Sequence, residues 1–309
     1  MKITLKKIVA LLLTIAIFVV ILFNINTTEF LNYFYELNLL FFLISFLFYV
    51  PLYLVISIRW KVIINYDYKI SMWDSIKMCL AGIGLNSFVP SKLGELSKAY
   101  FLKKEGVDIK RAINCVVFEK VLDIFTLCVL FLLGLLTVNK FNYVFGLLIF
   151  FCLIIIMFTI LYFKIDFLNS PLSKRLFWFL FKHKKIENMI INMQGFVFEL
   201  KQNKIRLAAI FLLSLLSWLV QLSQIYFLFL SLNYFVPIKL IFSLVPAAIL
   251  AGLAPLTIGG MGIRDSALIF LFLDYASPSL MAGIGVLLST RYWVASLIAL
   301  PFLREYISK

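Results

Sequence analysis

Four short stretches put ionisable side chains among apolar ones. "INCVVFEKVLDIF" carries Glu119, Lys120 and Asp123, "LGELSK" carries Glu95 and Lys98, "GGMGIRD" carries Arg264 and Asp265, and Arg291 interrupts "LLSTRYWVAS". Glu119 and Asp123 are four residues apart and share a helix face, with Lys120 three from Asp123. A charge at the centre of a membrane helix costs roughly 2.5–3.5 kcal/mol on insertion scales. Three within five residues must therefore face protein or water. They either pin helices together as internal ion pairs or line a polar cavity. Arg264 follows Gly259, Gly260 and Gly262, which permit positive φ and close backbone approach. A helix starting near Met261 would present free N–H groups there. The Arg264 guanidinium fork suits phosphate or carboxylate. The alternative is a glycine turn tied by an Arg264–Asp265 pair. Arg291 calls for an acidic partner, with Asp265, Glu119 and Asp123 as candidates. Trp218, Gln221 and Gln224 either add polar lining or hydrogen-bond a neighbouring helix.

Hydrolytic and metal chemistry find little support. The single histidine, His183, sits in the basic stretch "FKHKKIEN". The four cysteines (Cys79, Cys115, Cys128 and Cys152) lie in apolar segments without a C-x-x-C pair. The glycines of "GGMG" lack the βαβ context of a nucleotide-binding loop. No catalytic residue, metal site or cofactor is expected, and the chain is read as a non-enzyme.

The elements that must position these groups are membrane helices. Of 309 residues, 63% are apolar, and the mean hydropathy is +1.04. A soluble domain of this length is closer to half apolar. Long apolar runs without period-2 alternation predict an all-α polytopic membrane protein rather than a barrel. The whole chain, 1–309, reads as a single integral-membrane domain. Full spans are predicted near 5–24, 38–58, 112–138, 143–163, 207–231 and 279–303. The first has a positive start but no small-residue cleavage site, so it is read as an uncleaved span. The net charge of +14 reads as the lysine and arginine of cytoplasmic loops rather than a nucleic-acid surface.

Sidedness follows from those charges. Lys2, Lys6 and Lys7 place the N-terminus inside. Loop 25–37, with Glu29 and Glu36 and no basic residue, lies outside. Of the 29 basic residues, 24 then fall inside, Lys140 and Lys239 outside, and Lys120, Arg264 and Arg291 within the membrane. The C-terminus returns inside, giving cytoplasmic termini in the cell membrane. The region 164–206 reads as one or two amphipathic helices on the cytoplasmic surface. Segment 72–89 lies between two basic groups on one side, so it dips in and returns. Segment 240–258, with 264–275, does the same from outside. Both turns share a pattern, Pro90-x-x-x-Gly94 and Pro255-x-x-x-Gly259 followed by Gly260. Paired broken segments in opposite orientations predict an inverted repeat of two re-entrant hairpins, with a substrate site where they meet.

These motifs in sequence resemble the lysylphosphatidylglycerol synthase transmembrane-region family, also called the flippase-like domain family. Its pattern is Pro-x-x-x-Gly-Glu-x-x-Arg, then Glu-Arg-x-x-Asp, then Pro-x-x-x-Gly-Gly-x-Gly-x-Arg-Glu. Here it falls on Pro90, Gly94, Glu95 and Lys98; on Glu119, Lys120 and Asp123; and on Pro255, Gly259, Gly260, Gly262, Arg264 and Asp265. Lys98 and Lys120 replace arginine, and Asp265 replaces glutamate. The resemblance implies lipid flipping, in two-domain members of aminoacylated phosphatidylglycerol. Stand-alone relatives are associated with other lipids, including polyprenyl-linked sugars. No synthase-like stretch is present, so aminoacylation is not expected. The expected partners are membrane lipids (an anionic phospholipid, an aminoacyl-phospholipid or a polyprenyl-linked lipid), with no nucleic acid; a homo-oligomer is an open option. In this reading Arg264 with Lys98 or Lys120 holds phosphate. Glu95, Glu119 and Asp123 meet a cationic headgroup or balance those bases. The alternatives are a membrane enzyme acting on lipid phosphates and a static lipid-binding protein.

Overall fold

The computed structural model describes residues 5–64, 68–86, 93–136, 143–163, 184–254 and 256–308. Pro90, Pro255 and His183 lie outside that set. The regular elements among the described residues are helical: α1 (Leu5–Phe23), α2 (Thr27–Tyr35), α3 (Leu39–Leu47), α4 (Tyr49–Ile64), α5 (Met72–Leu85), a 3₁₀ turn (Leu93–Leu96), α6 (Ser97–Lys104), α7 (Ile109–Leu135), α8 (Tyr143–Phe163), α9 (Lys184–Gln202), α10 (Lys204–Ser231), α11 (Ile238–Ala251), α12 (Ile263–Leu271) and α13 (Pro278–Ser308). Short polar residues set several starts. The side chains of Asn26, Ser71, Asp108 and Asn203 accept from the first backbone N–H groups of α2, α5, α7 and α10.

Among the described residues, three helical stretches can cross a membrane by length and composition: Leu39–Ile64, Lys204–Ser231 and Pro278–Leu303. Val9–Asn24 and Thr27–Tyr35 make a fourth if counted together, bent by 96°. This is fewer than the six spans read from the sequence. α7 has 27 residues, ample for a span, but Glu119, Lys120 and Asp123 interrupt its apolar run. The second span is longer than predicted, since α4 continues to Ile64. The stretch 25–37 is not a plain loop but contains α2. In the 164–206 region one helix, α9, is described; residues 164–183 lie outside the described set.

The outer surface carries large apolar side chains such as Leu12, Val20, Phe150, Phe151 and Leu212. This is the pattern of a lipid-facing protein. Polar contacts gather the connections into two groups. Asn38 N–H donates to Ser231 O (2.7 Å) and Asn233 Nδ2 to Glu36 O (2.6 Å). Ser277 Oγ donates to Glu29 (2.8 Å), and Tyr234 OH to Tyr275 O (2.5 Å). At the other end, Arg111 pairs with Glu199, Asn114 Nδ2 donates to Asn192 O (3.1 Å), and Arg206 Nε donates to Val62 O (2.8 Å).

Two helix–turn–helix units fill the middle, α5–α6 and α11–α12. α5 packs along α13 and α6 along α7; α11 packs along α7 and α12 along α13. The two units thus exchange partners. Their turns touch: a Cβ on Gly259 would lie 3.4 Å from Asn86 O. Small residues allow the closest helix contacts. A Cβ on Gly134 in α7 would fall 2.4 Å from Ser243 Cα in α11, so only glycine fits. Gly134→Ala should lower the thermal midpoint in detergent, at a cost of about 1–3 kcal/mol for overpacking. Gly146→Ala, where an added Cβ meets nothing within 4 Å, should leave it unchanged or raise it.

Candidate functional site

The ionisable residues singled out in the sequence largely meet. α4, the 3₁₀ turn, α6 and α7 each contribute to one closed ring of alternating charge. Arg59 Nη2 donates to Glu119 Oε1 (2.8 Å). Lys98 Nζ donates to the other Glu119 oxygen (2.5 Å) and lies 3.6 Å from Glu95. Lys120 Nζ donates to Glu95 (2.5 Å) and to Asp123 (3.1 Å). Arg59 Nη1 closes the circuit on Asp123 (2.6 Å). Each of the three cations meets two carboxylates, and each carboxylate meets two cations.

The ring is further supported at its edges. Ser214 on α10 accepts from Arg59 Nη1 (2.9 Å). Asn86, at the end of α5, donates to Glu95 Oε1 (3.2 Å). The Lys98 ammonium lies over the Trp60 ring, 4.5 Å from its centroid. Glu119 and Lys98 are fully buried, while Glu95, Asp123 and Lys120 remain partly open.

Those open members face a cavity of about 380 Å³. Its wall includes Arg59, Glu95, Lys120 and Asp123 on one side. Tyr49, Tyr53, Leu127, Trp218, Gln221 and Arg291 are also part of it. The volume sits near the small end of the range for ligand sites, roughly 300–1,000 Å³. It can take a headgroup but not a whole lipid. Gln224, by contrast, is committed elsewhere: its Nε2 donates to Ser45 O (3.0 Å), joining α10 to α3.

Two expectations are corrected by this geometry. Arg291 does not pair with Asp265, Glu119 or Asp123. Those carboxylates are bound to other cations, and among the described residues Arg291 makes no ion pair. Arg59, one of the 24 basic residues that the charge pattern puts on the inside, is instead 2% exposed and central to the ring. Lys98, also counted with an inside loop, is fully buried. The signal for Arg59 was present in "SIRWKVII", where apolar residues continue past it for a full turn.

Arg264 and Asp265 form a separate, enclosed lock. Arg264 Nε donates to Asp265 Oδ1 (2.7 Å), and Nη2 donates to Gly285 O (2.9 Å) and Ser289 Oγ (3.0 Å). The second Asp265 oxygen accepts from Gly262 N–H (3.0 Å), fixing the start of α12. Gly259, Gly260 and Gly262 all have positive φ, from 60° to 86°. At Gly260 an added Cβ would also sit 2.2 Å from Gly252 O. Arg264 is 4% exposed and is not part of the cavity wall. Gly94 has the structural role expected of a turn residue, for a different reason. Its φ is not positive, but a Cβ there would lie 2.5 Å from Asn86 N, where the returning chain crosses the end of α5.

Breaking the ring leaves two cations facing one fewer anion. Glu119→Gln should destabilise the protein by about 3–5 kcal/mol, the usual result of removing one partner of a buried pair. Glu95→Gln, partly open to the cavity, should cost less. Thermal unfolding of the two variants in detergent checks the order.

The ring and the glycine lock occupy the two sequence regions that carry the motifs, and comparison with known proteins agrees with that reading. The family model for the lysylphosphatidylglycerol synthase TM region matches residues 7–299. UPF0104 membrane protein MJ1595 of Methanocaldococcus jannaschii is 26% identical, over 93% of this chain and 91% of its own length. UPF0104 membrane protein MJ1078 of the same organism is 29% identical, over 62% of this chain and 82% of its own length. With a match over nearly its whole length, the chain belongs to the lysylphosphatidylglycerol synthase TM-region family of membrane proteins.

Proposed function

We propose that this protein moves a phospholipid or lipid-linked headgroup between membrane leaflets through the cavity beside the ion-pair ring. The observation that carries this reading is a headgroup-sized chamber with a charged wall inside a protein whose outer surface is apolar. The headgroup would occupy the chamber while the acyl chains stay in the bilayer. The family's printed description, a lysylphosphatidylglycerol synthase TM region, supports a lipid as the cargo.

The two helix–turn–helix units are read as re-entrant hairpins. α5 and α11 have 14 residues each, about 21 Å of helix, too short for a hydrocarbon core of about 30 Å. The exchange of partners between α5–α6 and α11–α12 supports an inverted repeat built on α7 and α13. The two groups of connections support opposite membrane faces, with the Glu29 and Asn233 group outside and the Arg111 and Arg206 group cytoplasmic. Six full spans then follow, with both termini cytoplasmic.

The ring favours transport over catalysis. A metal-assisted transfer to lipid phosphate needs carboxylates free to bind a cation. Glu95, Glu119 and Asp123 are each already held by two basic groups.

Reconstitution in vesicles with a fluorescent phospholipid, quenched from outside, measures leaflet exchange. The wild type should raise the fraction of quenchable lipid above that of protein-free vesicles. Ile124→Trp, which fills the cavity beside Asp123 without altering charge, should slow exchange about tenfold or more, since the bulk sits in the path. Equal rates for the two proteins would argue against transport through this cavity. Tight lipid retention without exchange would indicate a static lipid-binding protein.

A further inference from the structure

The cavity wall has an excess of one positive charge. It includes three cations, Arg59, Lys120 and Arg291, and two carboxylates, Glu95 and Asp123. The two ring members behind the wall, Lys98 and Glu119, are fully buried and cancel each other. The surplus is not spread evenly. Every ring cation is bound by two carboxylates, whereas Arg291 has no acidic partner among the described residues. Its Nε is buried without a hydrogen-bond acceptor. Two other donors of the same wall are in the same condition, Arg59 Nε and Trp218 Nε1.

Arg291 is partly exposed at the cavity wall, and a cation there without a counter-charge favours an anion in the cavity. A group with one negative charge and several acceptor oxygens, entering the cavity, supplies that missing counter-charge. A phosphodiester or phosphate monoanion meets that description, and the arginine fork matches its geometry. The cavity carboxylates cannot serve a cationic headgroup equally well, because their charge is already neutralised by the ring.

We propose that this cavity selects headgroups of net negative charge, with Arg291 as the phosphate anchor, and disfavours the cationic aminoacylated headgroups after which the family is named. The proposal rests on the cavity being a headgroup site, but its test does not depend on transport. Arg264, the anion site suggested by the glycine motif, is occupied by Asp265, Gly285 and Ser289. The anion role therefore moves from the glycine turn to α13.

The test is native mass spectrometry of the full chain in detergent, offered equimolar phosphatidylglycerol, undecaprenyl phosphate, phosphatidylcholine and lysylphosphatidylglycerol. Wild type should retain one or both anionic lipids over lysylphosphatidylglycerol by about tenfold or more, the effect of a charge reversal near one fixed cation. Which anionic lipid dominates distinguishes a glycerophospholipid from a polyprenyl source. Arg291→Gln should abolish the preference, and Arg291→Lys should keep most of it. Gln221→Glu, which adds an acid to the same wall and leaves Arg291 in place, should abolish it too and serves if Arg291→Gln does not fold. Equal retention of the four lipids, a preference for lysylphosphatidylglycerol, or an unchanged preference in both Arg291→Gln and Gln221→Glu would overturn the selectivity and leave the transport reading standing. Retention of no lipid by wild type would overturn the cavity as a headgroup site, and this proposal with it.

Discussion

Six charges cannot be placed inside an apolar protein one at a time. Each would cost roughly 2.5–3.5 kcal/mol at the centre of a membrane helix. Here they are placed together, as a ring in which no member has a single partner. The ring takes Arg59 from α4, Glu95 from the 3₁₀ turn, Lys98 from α6, and Glu119, Lys120 and Asp123 from α7. The charges of α7 therefore find their partners only with α4 and the α5–α6 unit in register with it. The ring also decides where the cavity lies, because its partly open side forms one wall. A buried ion pair is weak evidence for net stability. Its value here is positional, since any other packing would leave a charge without its partners.

The second helix–turn–helix unit, α11–α12, is held by different means. Its turn depends on three glycines with positive φ and on Arg264, which spends its donors on Asp265 and on α13. The two turns meet where Gly259 approaches Asn86, and Asn86 in turn holds Glu95. α13 carries the contact onward. Ser296 Oγ donates to Gly84 O (2.7 Å) on α5, while Gly285 lies against Asp265 on α12. The same helix bears Arg291, so the surplus charge of the cavity sits on a helix packed against both units.

Much of this was legible in the residues. Glu119, Lys120 and Asp123 stand out because a helical face with three charges in an apolar run has no lipid-facing solution. Gly259, Gly260 and Gly262 stand out because closely spaced glycines before a charged helix start mark a backbone that other residues rarely adopt. Arg59 was hidden by the convention that basic residues after a span belong to a loop. One further turn of apolar residues, Val62 to Ile64, shows that the helix continues. That Arg291 lacks an acidic partner among the described residues could not be deduced, because pairing depends on which carboxylates the ring has already consumed. Gly94 stands out through its motif, but the close approach of its backbone to Asn86 is a chain crossing that sequence does not display. The six-span count rests on hydropathy, and α7 shows why that measure falters where buried charges interrupt an apolar helix.

The most direct test of the ring is a double-mutant cycle on its fully buried pair, Lys98→Met and Glu119→Gln, followed by thermal unfolding in detergent. Removing both leaves Arg59 and Lys120 balanced by Glu95 and Asp123. The ring predicts that the double variant loses less than the sum of the two single losses, with a coupling of about 2 kcal/mol or more, within the range measured for residues in one network. Additive losses would contradict it, showing that Lys98 and Glu119 act independently and that the charges do not form one unit.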